Sequence, residues 1–191
     1  MESWQIIIVV VAILVVGGVV AWLAARRRRS QVLQGRFGPE YEHTLEMTND
    51  RAAAERELDE RRKRVERMDL RPLDVQQRDS FLASWRQVQA EFVDDPSGAT
   101  TEADRLVEDV MAARGYPTGT DFEQRAADIS VDHPRVVSEY RAAREIAERH
   151  AADGLPTEML RRGFVHYRAL FEDLLETSPT DEPAPVEARN R

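Results

Sequence analysis

The sequence predicts an all-α chain: a single N-terminal transmembrane helix, a long charged helix and then a small helical bundle. Three observations predict it. Residues 6–25 are twenty consecutive uncharged residues, residues 40–69 are dense in charges spaced four apart, and residues 70–176 carry apolar stripes at three- and four-residue spacing with no convincing period-two strand. The expected organisation is a short extracytoplasmic end at 1–5, the span at 6–25, a basic juxtamembrane segment and break at 26–39, the charged helix at 40–69, the bundle at 70–176 and a disordered tail at 177–191.

Twenty residues at 1.5 Å each make a helix of about 30 Å, the thickness of a bilayer's hydrocarbon core. Thirteen of the twenty are Ile, Leu or Val, and their transfer into lipid favours insertion by roughly 4–8 kcal/mol. Arg26, Arg27, Arg28 and Arg29 follow at once, whereas the five preceding residues carry one acidic side chain, Glu2. Positive charge stays inside, so the expected topology is N-terminus outside and the remainder cytoplasmic, in a single-pass cell membrane protein. The four arginines then meet anionic lipid headgroups, at roughly 1 kcal/mol each near the surface. Trp4 and Trp22 fit as interfacial rings near the two ends. Secretion after signal-peptide cleavage is the competing reading, with Ala21, Ala24 and Ala25 as small residues near a cleavage site; its positive charge belongs before the apolar run, not after it. Gly17, Ala21 and Ala25 share a helix face that permits close packing of a second span, although the common occurrence of Gly and Ala in spans explains them as well.

After Gly35, the segment Arg36-Phe37-Gly38-Pro39 breaks the helix, with Pro suited to the first turn of the next. In 40–69, Glu57 and Arg61, Asp59 and Lys63, and Glu60 and Arg64 are acid-before-base pairs four apart, the better order for helix support. Tyr41, Leu45, Ala52, Leu58, Val65 and Met68 form only a broken stripe, which gives a regular coiled coil little support. Such an arm is either a solvated helix held by one thin face or a surface for a partner. If its charges are solvated, interchanging those of Glu57 with Arg61 and Glu60 with Arg64 leaves stability within about 1 kcal/mol.

Leu70-Arg71-Pro72-Leu73 ends the arm. Asp74 and Gln77 resemble a capping box, and Phe81, Leu82, Trp85, Val88 and Phe92 follow at helical spacing. The Ala103, Leu106, Val107, Val110, Met111 stripe marks the next helix, stopped by Gly115 with Pro117 behind it. Asp121 and Gln124 open a short helix through Ile129. Pro134 is expected at the first position of another, capped by Asp132 or His133 and ended by Gly154. Thr157 opens the last, where Leu160, Phe164, Tyr167, Phe171 and Leu174 recur at 4, 3, 4 and 3. The tail has three Pro and little to bury, hence the expected disorder.

The chemistry inventory is thin. There is no Cys, which removes disulfides and thiol nucleophiles. The net charge of -8 argues against general nucleic-acid binding, which needs a basic surface. His43, His133, His150 and His166 lie on separate elements without metal-ligand spacing, and no glycine loop cradles phosphate, so no metal or cofactor is expected. One concentration of ionisable groups stands out at 121–134. An enzyme or small-ligand site there would make His133 a base oriented by Asp128 or Asp132, with Trp85 as a wall. Helix capping by Asp121 and Asp132, with Trp85 in the core, accounts for the same residues without chemistry.

The elements RFGPEY at 36–41, RPL at 71–73, FVDDP at 92–96, ADRLV at 103–107, RGYP at 114–117 and DFEQRAADISVDHPRVV at 121–137 resemble a family of small, uncharacterised bacterial proteins with an N-terminal membrane anchor and an α-helical domain. The resemblance implies architecture and carries no activity or site residue. Two function classes follow: a membrane-tethered helical interaction or scaffold module, with a protein partner and no catalytic residues, or a hydrolase or small-ligand binder at 121–134.

Overall fold

The structure is a computed structural model that describes residues 4, 14, 16–18, 20, 27, 28, 30–119 and 121–176. Among these residues all regular secondary structure is helical, as the stripes predict, and no helix is long and apolar enough to cross a membrane. Most of the apolar run at 6–25, the flanking Arg26 and Arg29, and the tail at 177–191 lie outside the described residues.

Among the described residues seven helices follow the helical residues 30–37: α1 (Pro39–Thr48), α2 (Arg51–Val65), α3 (Val75–Glu91), α4 (Pro96–Arg114), α5 (Phe122–Ile129), α6 (Val137–Asp153) and α7 (Thr157–Glu176). Contacts divide the chain into two units, Met1–Asp59 and Glu60–Arg191, and the division falls inside α2.

In the first unit the expected break sits at Gly38, whose φ of 48° is left-handed, with Pro39 opening α1. The expected single helix over 40–69 is corrected: it is two helices. Asn49 adopts φ 50°, its N–H closing on the Leu45 carbonyl at 2.9 Å, and the Asp50 carboxylate accepts the Ala52 N–H at 2.9 Å. Asn tolerates the left-handed conformation and Asp caps a helix start, so Asn49-Asp50 ends one helix and begins another within a charged run. Phe37, Tyr41, Ala54 and Leu58 are buried.

A polar cluster lies among them. The Tyr41 hydroxyl donates to Glu55 Oε1 at 3.1 Å, Arg51 Nε donates to the same oxygen at 3.0 Å, and Arg51 also reaches Ser30 Oγ. Burial pushes the Glu55 carboxyl up, but hydrogen bonds from Ser30, Arg51 and Tyr41 outweigh it and hold the group below its ordinary 4.5. A lowered folded-state value contributes stability that is present above pH 4.5 and lost as pH falls through the folded value. Glu55→Gln is therefore expected to flatten the acid limb of a stability–pH curve below that point while leaving the neutral region without slope from this residue. An unchanged acid limb would contradict the assignment.

The second unit holds the main core. α7 packs along α6 and α4, and α3 packs along α4. The five α7 stripe residues Leu160, Phe164, Tyr167, Phe171 and Leu174 are all buried, together with Trp85 and Val88 of α3 and Ala103, Leu106, Val107, Val110 and Met111 of α4. The ends of these helices follow local chemistry. Asp74 Oδ1 accepts the Gln77 N–H at 2.7 Å and Gln77 Oε1 accepts the Asp74 N–H at 3.1 Å, the reciprocal box that the spacing predicts. Asp95 caps α4, with Pro96 at its first position, and Gly115 ends it at φ 97°. Gly163 sits where α7 meets α6: a Cβ there would stand 3.1 Å from Ile146 Cγ2.

The start of α6 departs from expectation. It begins at Val137, not at Pro134, and no side chain caps it. Residues after Ile129 continue as turns, with His133 N–H on the Ile129 carbonyl at 2.8 Å and Val136 N–H on the His133 carbonyl at 3.2 Å. These turns use the backbone groups that an Asp132 or His133 cap would have satisfied.

Candidate functional site

α5 is positioned by its cap, Asp121 Oδ1 accepting the Gln124 N–H at 2.8 Å, and it buries Arg125, Ala126, Asp128 and Ile129. The turns after it face His133 inward, at 2% exposure, and leave Asp132 outside. His133 Nδ1 pairs with Asp173 Oδ2 of α7. A carboxylate only accepts, so Nδ1 carries the proton of this pair. Nε2 is buried without a hydrogen-bond partner.

His133 is thus oriented by a carboxylate, but not by Asp128 or Asp132 as the sequence suggested. Asp128, 1% exposed, accepts from Arg64 Nε at 2.7 Å and from Gln124 Nε2 at 2.9 Å. Asp132 accepts from the Tyr116 hydroxyl at 3.1 Å. Trp85 is no wall of this site. Its ring stacks on Phe171 at 4.7 Å and on Phe164 at 5.0 Å, inside the core. Of the four arginines expected at the membrane surface, Arg27 and Arg28 are described, and both are helical and exposed.

The Arg64 pair changes an expectation. Glu60–Arg64 is not simply a solvated pair, because Arg64 neutralises a buried carboxylate 64 positions away. Arg64→Ala would leave Asp128 buried with Gln124 alone, and breaking a fully buried pair costs about 3–5 kcal/mol. Arg64 is 35% exposed, so a loss of about 2 kcal/mol is expected, measured by urea unfolding of the full chain. A change below about 0.5 kcal/mol would place the pair among ordinary surface ion pairs.

Arg114, 4% exposed, closes the cluster by donating Nη1 to the Leu174 carbonyl at 2.6 Å. Burial pulls its guanidinium below its ordinary value, against the pull of Tyr116, Asp132 and Asp173 in the other direction. Burial likewise pushes the Tyr116 hydroxyl up, reinforced by Asp132. A neutral Tyr116 is the donor that Asp132 needs.

A second, partly buried polar layer escaped sequence reasoning, which took Tyr167 as a plain core residue. Arg144 Nη1 reaches Asp104 Oδ2 at 3.2 Å, and Arg125 Nη2 reaches Glu108 Oε1 at 2.5 Å. The Tyr167 hydroxyl lies against Asp104 and that of Tyr140 against Arg125, both short of full hydrogen-bond geometry. Burial pushes Tyr140 up to about 12 and Tyr167 higher still. The signal available in the sequence was the tyrosine itself, since a buried Tyr requires a polar neighbour where Phe does not.

The His133–Asp173 arrangement has the orientation of a general base, but its free nitrogen is enclosed, so a substrate proton has no path to it. Its chemistry as it stands is that of a tie between the turns after α5 and α7. Among the described residues no group of His, Asp and Glu could hold a metal ion. A concavity lies elsewhere, a groove of about 730 Å³ between α3 and α4. In comparison with known proteins, no family model, no curated protein and no solved structure matches the chain.

Proposed function

We propose that the chain is a membrane-tethered helical interaction module, anchored by residues 6–25 with its helices on the cytoplasmic side. One observation supports it above the alternative: the ionisable groups at 121–134 are spent on intramolecular pairs, Asp128 with Arg64, Asp132 with Tyr116 and His133 with Asp173. Their geometry serves the fold, which favours surface over a reaction centre as what the described residues offer. The described residues of the apolar run fit an anchor, since Leu14, Val16 and Val20 are helical with apolar side chains facing outward. Arg27 and Arg28 are exposed where anionic headgroups would meet them.

The test is topological. A reporter fused after Arg191 is expected to be active only if it functions in the cytoplasm, with the protein remaining in membranes washed at high pH. Strong signal from a phosphatase that requires export would reverse the compartment, and release from the washed membranes would remove the tether.

The alternative, a hydrolase or small-ligand binder at 121–134, draws on the unpartnered Nε2 of His133. It requires an opening of the turns after α5 that would bring this nitrogen to solvent. Hydrogen exchange at 130–136 as slow as in the core of α7 would count against it.

A further inference from the structure

The groove between α3 and α4 has a composition that the fold does not explain. Its floor is Phe81, Val88, Ala99 and Leu106, and Phe81 remains half-buried. Along its walls stand Glu91, Asp94, Asp95, Glu102 and Asp109, against one cation, Arg105. Helix capping uses only Asp95, which accepts the Gly98 N–H at 2.9 Å. Of the other four carboxylates, Glu102 and Asp109 pair with Arg105 and Glu91 accepts from Gln87 Nε2 at 3.1 Å, which leaves the walls strongly acidic around a single cation.

Arg105 indicates what such walls accept. Its guanidinium, 62% exposed, bridges Glu102 and Asp109, the latter at 3.3 Å. A guanidinium is therefore already seated between two of these carboxylates, while toward the α3–α4 loop Glu91, held by Gln87, and Asp94 have no cation among the residues that line the groove. The walls are helices of 17 and 19 residues, roughly 26 and 28 Å long. A groove with an apolar floor between two helices packed side by side takes a third helix.

We propose that the α3/α4 groove docks a basic amphipathic helix of a partner protein, with Lys or Arg meeting Glu91, Asp94 and Asp109 and one apolar residue seated on Phe81. The proposal rests on the reading of the chain as an interaction module and names the chemistry of its partner. Charge sets the orientation and speed of docking, and the apolar seat sets its lifetime.

The test uses the full chain in nanodiscs of zwitterionic phosphatidylcholine, so that a basic probe gains nothing from the lipid. The probe is a fluorescein-labelled synthetic helix of about 18 residues built from Leu, Ala, Lys and Arg in amphipathic order, followed by anisotropy. Glu91→Gln with Asp94→Asn and Asp109→Asn is expected to weaken binding about tenfold, as is raising salt from about 50 to about 300 mM. Ser84→Arg, which places a cation on the groove wall, is expected to do the same by occupying the site. The matched control is Glu123→Gln with Glu145→Gln and Glu148→Gln, three carboxylates of a separate concavity beside Arg141, and it should change binding less than twofold.

Equal losses from both triple variants would mean general attraction to a chain of net charge -8 and would overturn the proposal. So would a wild-type chain that ignores the probe, or a scrambled, non-amphipathic probe that binds equally well. The topology and membrane-wash results do not depend on this assay, so a failed groove leaves the tethered module standing.

Discussion

Replacing Trp85 by alanine is expected to destabilise the α3–α7 unit by about 3–5 kcal/mol. The ring is 5% exposed and stacks on two others, at 4.7 Å from Phe171 and 5.0 Å from Phe164. It joins α3 to α7. Truncation removes the transfer energy of a large aromatic surface and two ring contacts, and rings held from three sides do not collapse into the space left. Trp85→Phe should recover more than half of the loss. Urea unfolding of the full chain measures both. A melting curve unchanged by Trp85→Ala would mean that the ring is exposed, and a binding role would then outweigh a core role.

Gly115→Ala is expected to cost about 2–4 kcal/mol. Two effects add. The left-handed φ of 97° disfavours any L side chain by roughly 1–2 kcal/mol, and a Cβ would stand 2.3 Å from the Asp69 carbonyl oxygen. Backbone cannot rotate away as a side chain does, so the 69–71 segment must move, losing the Arg71 N–H bond to the Arg114 carbonyl at 3.0 Å. Gly154→Ala is the internal comparison: φ is 68° but nothing lies within 4 Å of the added carbon, so it should show the conformational cost alone, about 1 kcal/mol. Equal losses at the two glycines would mean that residues 69–71 yield freely.

What the sequence made legible was local. The Asp74/Gln77 box, the Asp121 cap and the stops at Gly115 and Gly154 each depend on residues within one turn of the helix end, and each is where its chemistry places it. The stripes gave the core because burial imposes a 3.6-residue period on whatever side chains are present. Asn49-Asp50 was legible in principle, but the surrounding charges at i,i+4 spacing suggested continuity. Charge pairing supports a helix by tenths of a kcal/mol and cannot carry it through a left-handed Asn followed by a capping Asp. The candidate site failed differently. Its residues were singled out as ionisable neighbours in sequence, yet their partners, Arg64 for Asp128 and Asp173 for His133, lie 64 and 40 positions away. Nothing in spacing encodes a pairing that only the packing of distant elements creates.

The central claim is that the molecule works through its surface while tethered, and in-cell proximity labelling tests it most directly. With a labelling enzyme fused after Arg191 of the full chain, a reproducible set of partners is expected. Neutralising Glu91, Asp94 and Asp109 should deplete it, deleting residues 6–25 should disperse it, and His133→Asn should leave it intact in any variant that still folds. A partner set indifferent to the groove charges and to the anchor, with a cellular phenotype abolished by His133→Asn in a folded protein, would contradict the account and place function at 121–134.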